Sequence, residues 1–205
     1  MTLQGAVRET PPRLVVGISG ASGITYGLRV LDACRELGVE THLVLTRAGA
    51  LTLAEETGET LADVQARASA AYKPGDVGAA IASGSFRTLG MIIAPCSVRT
   101  MSEIATGVTS SLITRAADVT LKERRRLVLM VRETPLHLGH LRTMTQLAEM
   151  GAVIAPPLPA LYARPASIAE MIDQSVGRAL DLFDLSWSSV RRWGEDVGPV
   201  APPKQ

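Results

Sequence analysis

At 205 residues, 46% of them apolar, the chain is long enough for one domain with a substantial core. A net charge of +1 argues against wholesale nucleic-acid binding, and no apolar run approaches the ~18 residues that cross a bilayer. Two cysteines, Cys34 and Cys96, lie far apart without metal-ligand spacing, and no basic-plus-apolar leader precedes the first element, so a reduced, cytoplasmic chain is expected.

Residues 1–12 read as a polar, loosely ordered arm ending in Pro11-Pro12. A domain over 13–185 follows, and then a tail over 186–205 that carries Trp187 and Trp193 and no clear period. The β-branched run Leu14-Val15-Val16 predicts a first strand, and an amphipathic helix begins near Ile24 and stops at Gly38. Between them lies the turn Gly17-Ile18-Ser19-Gly20-Ala21-Ser22-Gly23. A strand that turns sharply into a helix presents backbone N–H groups at the positive end of the helix dipole, which is a seat for a phosphate.

This turn is not the dinucleotide fingerprint. Its glycines fall at 17, 20 and 23 rather than at the first, third and sixth positions of G-x-G-x-x-G. Ser19 and Ser22 are hydroxyl donors for a phosphate or a ring nitrogen. The second strand, Thr41 to Leu45, ends in Thr46-Arg47 and not in the acidic residue that holds a ribose diol. A hydroxyl and a cation there suit a mononucleotide phosphate, although a lone glycine turn that binds nothing is the competing reading.

Further along, a second helix starts near Ala48 and carries Glu55-Glu56, and Gly58 to Tyr72 reads as another short helix. Met91 to Ala94 is a buried strand running into Pro95-Cys96-Ser97-Val98-Arg99-Thr100. Helical segments fill Met101 to Lys122. Strands at Leu127–Val131 and Ala152–Ala155 flank a helix over Leu138–Met150, and a long helix spans Ile168 to Phe183. The alternation predicts an α/β fold, a doubly wound parallel sheet of Rossmann-like type. Ser19 to Ser22, Thr46, Ser97 to Thr100, Arg132-Glu133 and Tyr162 all follow carboxyl ends of strands, the edge where open parallel sheets bind ligands.

Gly20-Ala21-Ser22-Gly23, Ala82-Ser83-Gly84-Ser85, Ala94-Pro95-Cys96-Ser97, the stretch from Arg115 to Arg125, and Val131-Arg132-Glu133-Thr134-Pro135 form a set. Together they resemble the UbiX-type flavin prenyltransferases, over about Arg13 to Trp193. The resemblance implies that a dimethylallyl group passes from its monophosphate to N5 and C6 of reduced FMN, with no metal. It implies that prenylated FMN then goes to a UbiD-type decarboxylase, and that the chain is a homo-oligomer, dodecameric in family members, with flavin sites near subunit contacts.

By motif, Gly20, Ala21 and Ser22 match flavin contacts, and Thr46 matches a hydroxyl on the flavin phosphate. Ser97, Val98, Arg99 and Thr100 complete the cradle and Arg132 closes it. Tyr162, Arg178 and Lys122 match positions that hold the dimethylallyl phosphate. Glu133 matches the acid–base carboxylate, paired here with Ser22, and Glu56 a second carboxylate nearby. Cationic side chains and a phenol suit a phosphate leaving group, and a hydroxyl with a carboxylate suits proton removal. Ser111 and Leu161 stand where many relatives have Asn and an aromatic, so pocket shape is where this chain differs.

The remaining features read plainly. Arg124 to Arg126 is a solvated helix end, His137 and His140 lack the further ligands a metal needs, and Cys96 is a small buried residue. A cysteine-peptide decarboxylase would show a Pro-x-Met-Asn stretch that is absent here. A non-catalytic FMN carrier or accessory subunit of an aromatic acid decarboxylase would need no second phosphate site.

Overall fold

The computed structural model describes residues 11–199. The arm expected at 1–12 therefore lies, except for Pro11 and Pro12, outside the described residues. Among the described residues, six strands form one sheet: β1 (Arg13–Ile18), β2 (Glu40–Leu45), β3 (Ala70–Tyr72), β4 (Gly90–Cys96), β5 (Arg126–Val131) and β6 (Ala152–Ile154). Their spatial order is β3-β2-β1-β4-β5-β6, and every pairing is parallel. The order reverses between β1 and β4, which makes that gap the topological switch point.

Seven α-helices cover the two faces: α1 (Ile24–Glu36), α2 (Arg47–Glu56), α3 (Leu61–Arg67), α4 (Val98–Ala105), α5 (Leu112–Lys122), α6 (Leu138–Glu149) and α7 (Ile168–Asp181), counted among the described residues. Strand alternation sorts the core into two layers. Leu14, Val16, Ile18, Ile92, Ala94, Val128 and Met130 pack under α1 and α7. Val15, Met91, Ile93, Leu127 and Leu129 pack under α4 and α5. Near-continuous apolar strands follow from burial on both faces.

One local feature differs from the expectation. The stretch from Gly58 to Tyr72 is not all helix. α3 ends at Arg67, and Ala70–Tyr72 adds an edge strand beside His42–Val44. Three residues are too few to show a period of two, so pairing with β2 decides the matter. Over 186–199 the tail is irregular, as expected. Trp187 is buried, and its Nε1–H donates to Glu36 at 2.7 Å. Gly177 of α7 makes room for Val190, since a Cβ there would come within 2.0 Å of that side chain.

Candidate functional site

The carboxyl ends of β1 and β4 meet at the switch point and are tied together by Ser19. This residue is buried, its Oγ donates to the Pro95 carbonyl at 2.9 Å, and it accepts from the Ser97 N–H at 2.8 Å. Both capacities of the hydroxyl are used inside the protein. Ser19 therefore braces the two loops, and the ligand-donor reading of Ser19 is corrected.

The N-terminus of α1 holds a second correction. Two of its amides are not free for a phosphate, because the Glu56 carboxylate accepts from Gly23 N–H at 2.8 Å and from Ile24 N–H at 2.9 Å. Gly23 sits at φ 96, a left-handed conformation that glycine adopts without strain. Burial pushes the Glu56 carboxyl up, but hydrogen bonds from Ser22, Ile24 and Gly23 and the charge of Arg132 outweigh it and hold the group below the usual 4.5. Glu56 is thus ionised at neutral pH and is the internal anion at this dipole.

The expected pairing of Ser22 with Glu133 is not formed. Ser22 lies close enough to Glu56 to favour that carboxyl's charged form, and Glu133, exposed, accepts from the Thr134 N–H at 3.0 Å. Both carboxylates stand at the same sheet edge, Glu56 as the last residue of α2 and Glu133 just after β5.

The helix N-termini that keep a hydroxyl lining are α2 and α4. Thr46 caps α2, accepting from Gly49 N–H at 3.0 Å. Ser97 caps α4, accepting from Thr100 N–H at 3.3 Å while donating to Thr100 Oγ1 at 3.1 Å. First-turn amides have no partner within a helix, so these two termini offer N–H donors at the carboxyl edge. The glycine turn leans directly on α2. A Cβ on Gly20 would lie 2.3 Å from the Ala48 Cβ, so only glycine permits this approach. Ala21 is buried in the turn, Val98 is half-buried, and Arg99 is exposed and paired with Glu103 at 2.9 Å.

Arg132 closes this edge. Its backbone N–H donates to Cys96 O at 3.1 Å, and its side chain lies over Gly23, whose added Cβ would meet Arg132 Cδ at 2.9 Å. Tyr26 stands beside it. Burial raises the Tyr26 phenol above its usual 10.0, and Arg132 partly offsets the rise. The sequence reading passed over Tyr26. Its signal is a scarce aromatic three positions after the left-handed glycine.

Tyr162 and Arg178 form a separate group on the β6–α7 side. Tyr162 lies in a 3-10 turn (Leu161–Ala163), and Arg178 lines a cavity of about 160 Å³ with Met130, Pro156 and Leu158. The Arg178 guanidinium donates to Asp181 at 2.7 Å. Lys122 is brought to neither group. It ends α5, just before β5 begins, so it stands at the amino edge of the sheet, paired with Glu123 at 2.7 Å. The six residues of β5 set it about 20 Å from Glu133 in the same chain.

The donor set fits an anionic, ring-bearing ligand such as a flavin mononucleotide. Two hydroxyl-capped helix starts suit a phosphate, and a cation and hydroxyls surround a turn that approaches without side chains. Among the described residues, no group of three His, Cys, Asp or Glu side chains could hold a metal ion. No helix among them is long and apolar enough to cross a membrane.

The family model described as Flavoprotein matches residues 5–187. The chain is 55% identical, over 181 residues, to the flavin prenyltransferase UbiX of Thauera aromatica, covering 88% of this chain and 93% of that one. It also resembles the crystal structure of AnUbiX (PadA1) in complex with FMN and dimethylallyl pyrophosphate, with a TM-score of 0.89 and 49% identity over 90% of this chain and 98% of that one. A dodecameric FMN-dependent UbiX-like decarboxylase from Escherichia coli O157:H7 aligns with a TM-score of 0.86 and 44% identity over 88% and 98% of the two chains.

Proposed function

The chain belongs to the flavoprotein family and, within it, to the UbiX flavin prenyltransferases, and on that premise we propose that it joins a dimethylallyl group from dimethylallyl monophosphate to N5 and C6 of reduced FMN. The product, prenylated FMN, serves a UbiD-type decarboxylase, and the protein works as a cytoplasmic homo-oligomer, a dodecamer. The observation that carries the reading is the convergence of Thr46, Ser97, Thr100, Ser22 and Arg132 at one sheet edge, in a chain so similar to relatives of that name.

In this reading Thr46 and the first turn of α2, with Ser97 and Thr100 at α4, hold the flavin phosphate and ring edge. Gly20, Ala21, Val98 and Arg99 shape the cradle, and Arg132 closes it. Reduced FMN supplies the nucleophilic positions. Arg132, Arg178 and Lys122 neutralise the departing phosphate, and Tyr162 donates a hydrogen bond to it, which lowers the barrier by stabilising charge as it develops. Ser22, beside the ionised Glu56, passes on the proton released on bond formation, and Glu133 is the second acceptor at that edge.

Lys122 enters from a neighbouring copy. It stands at the amino edge of its own sheet, so one chain does not bring it to Glu133. The site is complete only in an oligomer.

The test is anaerobic. Full-length protein is mixed with reduced FMN and dimethylallyl monophosphate, and the mass of the released flavin is read. A gain of one five-carbon unit supports the reading. Unmodified flavin from protein that binds FMN, with the diphosphate also inactive, favours an FMN carrier or accessory subunit.

A further inference from the structure

Gln174 is a buried polar residue in the middle of α7, 3% exposed, that none of the assigned roles uses. Its amide is fully engaged. Oε1 accepts from the Arg191 N–H at 2.9 Å, and Nε2 donates to the Arg191 carbonyl at 2.9 Å. The second Nε2–H points at Tyr162 Oη, 3.3 Å away. The backbone of Arg191 fixes which end of the amide is which, because a flipped side chain would set N–H against N–H and O against O. Gln174 is therefore a donor to the phenol, and the phenol oxygen is an acceptor on its inner side.

We propose that Gln174 is a positioning residue for Tyr162, setting the direction of its hydroxyl so that the phenol proton points outward to the prenyl phosphate. The proposal rests on the reading of Tyr162 as a phosphate ligand. A phenol has one hydrogen to give. With its inner lone pair occupied by the Nε2–H, that hydrogen is free for a partner on the open side, where Tyr162 is 40% exposed. At 3.3 Å the bond is long and contributes little at rest. It strengthens when an anion draws on the phenol proton, since hydrogen bonds in series polarise one another.

The segment that orients Gln174 also holds the Tyr162 turn from outside. Arg191 Nη1 donates to Ala163 O at 3.1 Å, and the Trp193 ring meets Tyr162 edge-on with centroids 5.9 Å apart. Tyr162 is thus set between the body of α7 and the chain after Val190. The tail acts on the phosphate end of the site without touching the flavin cradle.

The test uses Gln174→Met and Gln174→Glu in the full-length protein, each also combined with Tyr162→Phe. Methionine keeps the length and removes every hydrogen bond. Glutamate keeps the bond from Arg191 N–H, loses the one to the Arg191 carbonyl as methionine does, and presents an acceptor to the phenol, drawing its proton inward. The expected result is a rise in KM for dimethylallyl monophosphate of about 3- to 10-fold for methionine and more for glutamate, with FMN affinity unchanged. Neither substitution should matter further once Tyr162 is Phe.

A purely structural role predicts a lowered Tm for both variants and effects additive with Tyr162→Phe. That result, or an unchanged KM, overturns the proposal. If neither variant folds, Gln174→Asn decides, because it keeps a neutral amide in the buried position and withdraws it from the Tyr162 hydroxyl. A KM rise of about threefold that vanishes in Tyr162→Phe supports the proposal, and an unchanged KM overturns it. Failure of the functional reading is separate, because it shows as wild-type protein that makes no prenylated flavin, or as Tyr162→Phe with no effect on KM.

Discussion

The carboxylate of Glu56 accepts the backbone N–H of Gly23 at 2.8 Å across 33 residues of chain, so the last residue of α2 caps the first turn of α1. The glycine turn is therefore stabilised by an anion of the protein's own. Replacing Glu56 by Gln keeps the shape and removes the charge, and is expected to lower stability by about 1 kcal/mol at pH 7, a helix-cap effect moderated by solvent. The sign with pH follows from the carboxyl lying below 4.5 in the folded protein. Its contribution is fully present above the unfolded value and is lost as pH falls through the lower folded one. Thermal unfolding of wild type and Glu56→Gln should differ at pH 7 and converge toward pH 3; a constant gap would count against the capping account.

Glu133 is exposed and bonded only to the next amide, so it is available for proton transfer without being needed for folding. Glu133→Gln should keep FMN binding and reduce turnover by about 100-fold or more. Flavin fluorescence titration alongside product mass separates the two, and equal loss of binding and turnover would remove its acid–base assignment.

Gly20 and Ala48 leave no room for a methyl group, since a Cβ on Gly20 would lie 2.3 Å from that of Ala48. Gly20→Ala should push α2 and the Thr46 cap away from the turn. We expect a loss of about 2 kcal/mol from overpacking and an FMN affinity at least about tenfold weaker. Unchanged FMN affinity in a folded variant would mean that the α2 terminus holds no phosphate.

Lys122 and Glu133 stand at opposite ends of β5. Lys122→Ala and Glu133→Gln should each be inactive alone and regain activity when co-assembled, toward about a quarter of wild-type sites in a random equal mixture. Mixed oligomers that stay inactive would require both residues to act from one chain.

His42 is buried between Tyr72, whose hydroxyl lies 2.8 Å from Nδ1, and Glu40, whose Oε1 lies 3.0 Å from Nε2. Burial holds the imidazole below its usual 6.5, and Glu40 only partly opposes this. Protons then bind the unfolded chain more readily, so this contribution to stability is complete above pH 6.5 and falls as pH drops through the folded value. His42→Gln should cost about 2 kcal/mol at pH 7 and flatten the stability profile between pH 5 and 6.5, read by urea unfolding.

The local periods and their order are legible along the chain alone. The apolar runs at β1, β4 and β5 are buried on both faces and so contain enough consecutive apolar residues to be recognised alone. Gly23 before Ile24 and the hydroxyls Thr46 and Ser97 before their helices are also local signals, because a cap and its helix are neighbours in the chain. Which polar groups remain for a ligand depends on contacts made in the folded molecule. Ser19 spends its hydroxyl on Pro95 and Ser97, the α1 amides take Glu56, and Tyr162 Oη receives Gln174. Folding also sets Lys122 at the amino edge, away from the residues it matches by motif. These pairings join atoms 12 to 78 positions apart. A hydrogen bond depends on distance and direction in space, and the spacing of residues along a chain carries neither until the sheet has brought its strands together.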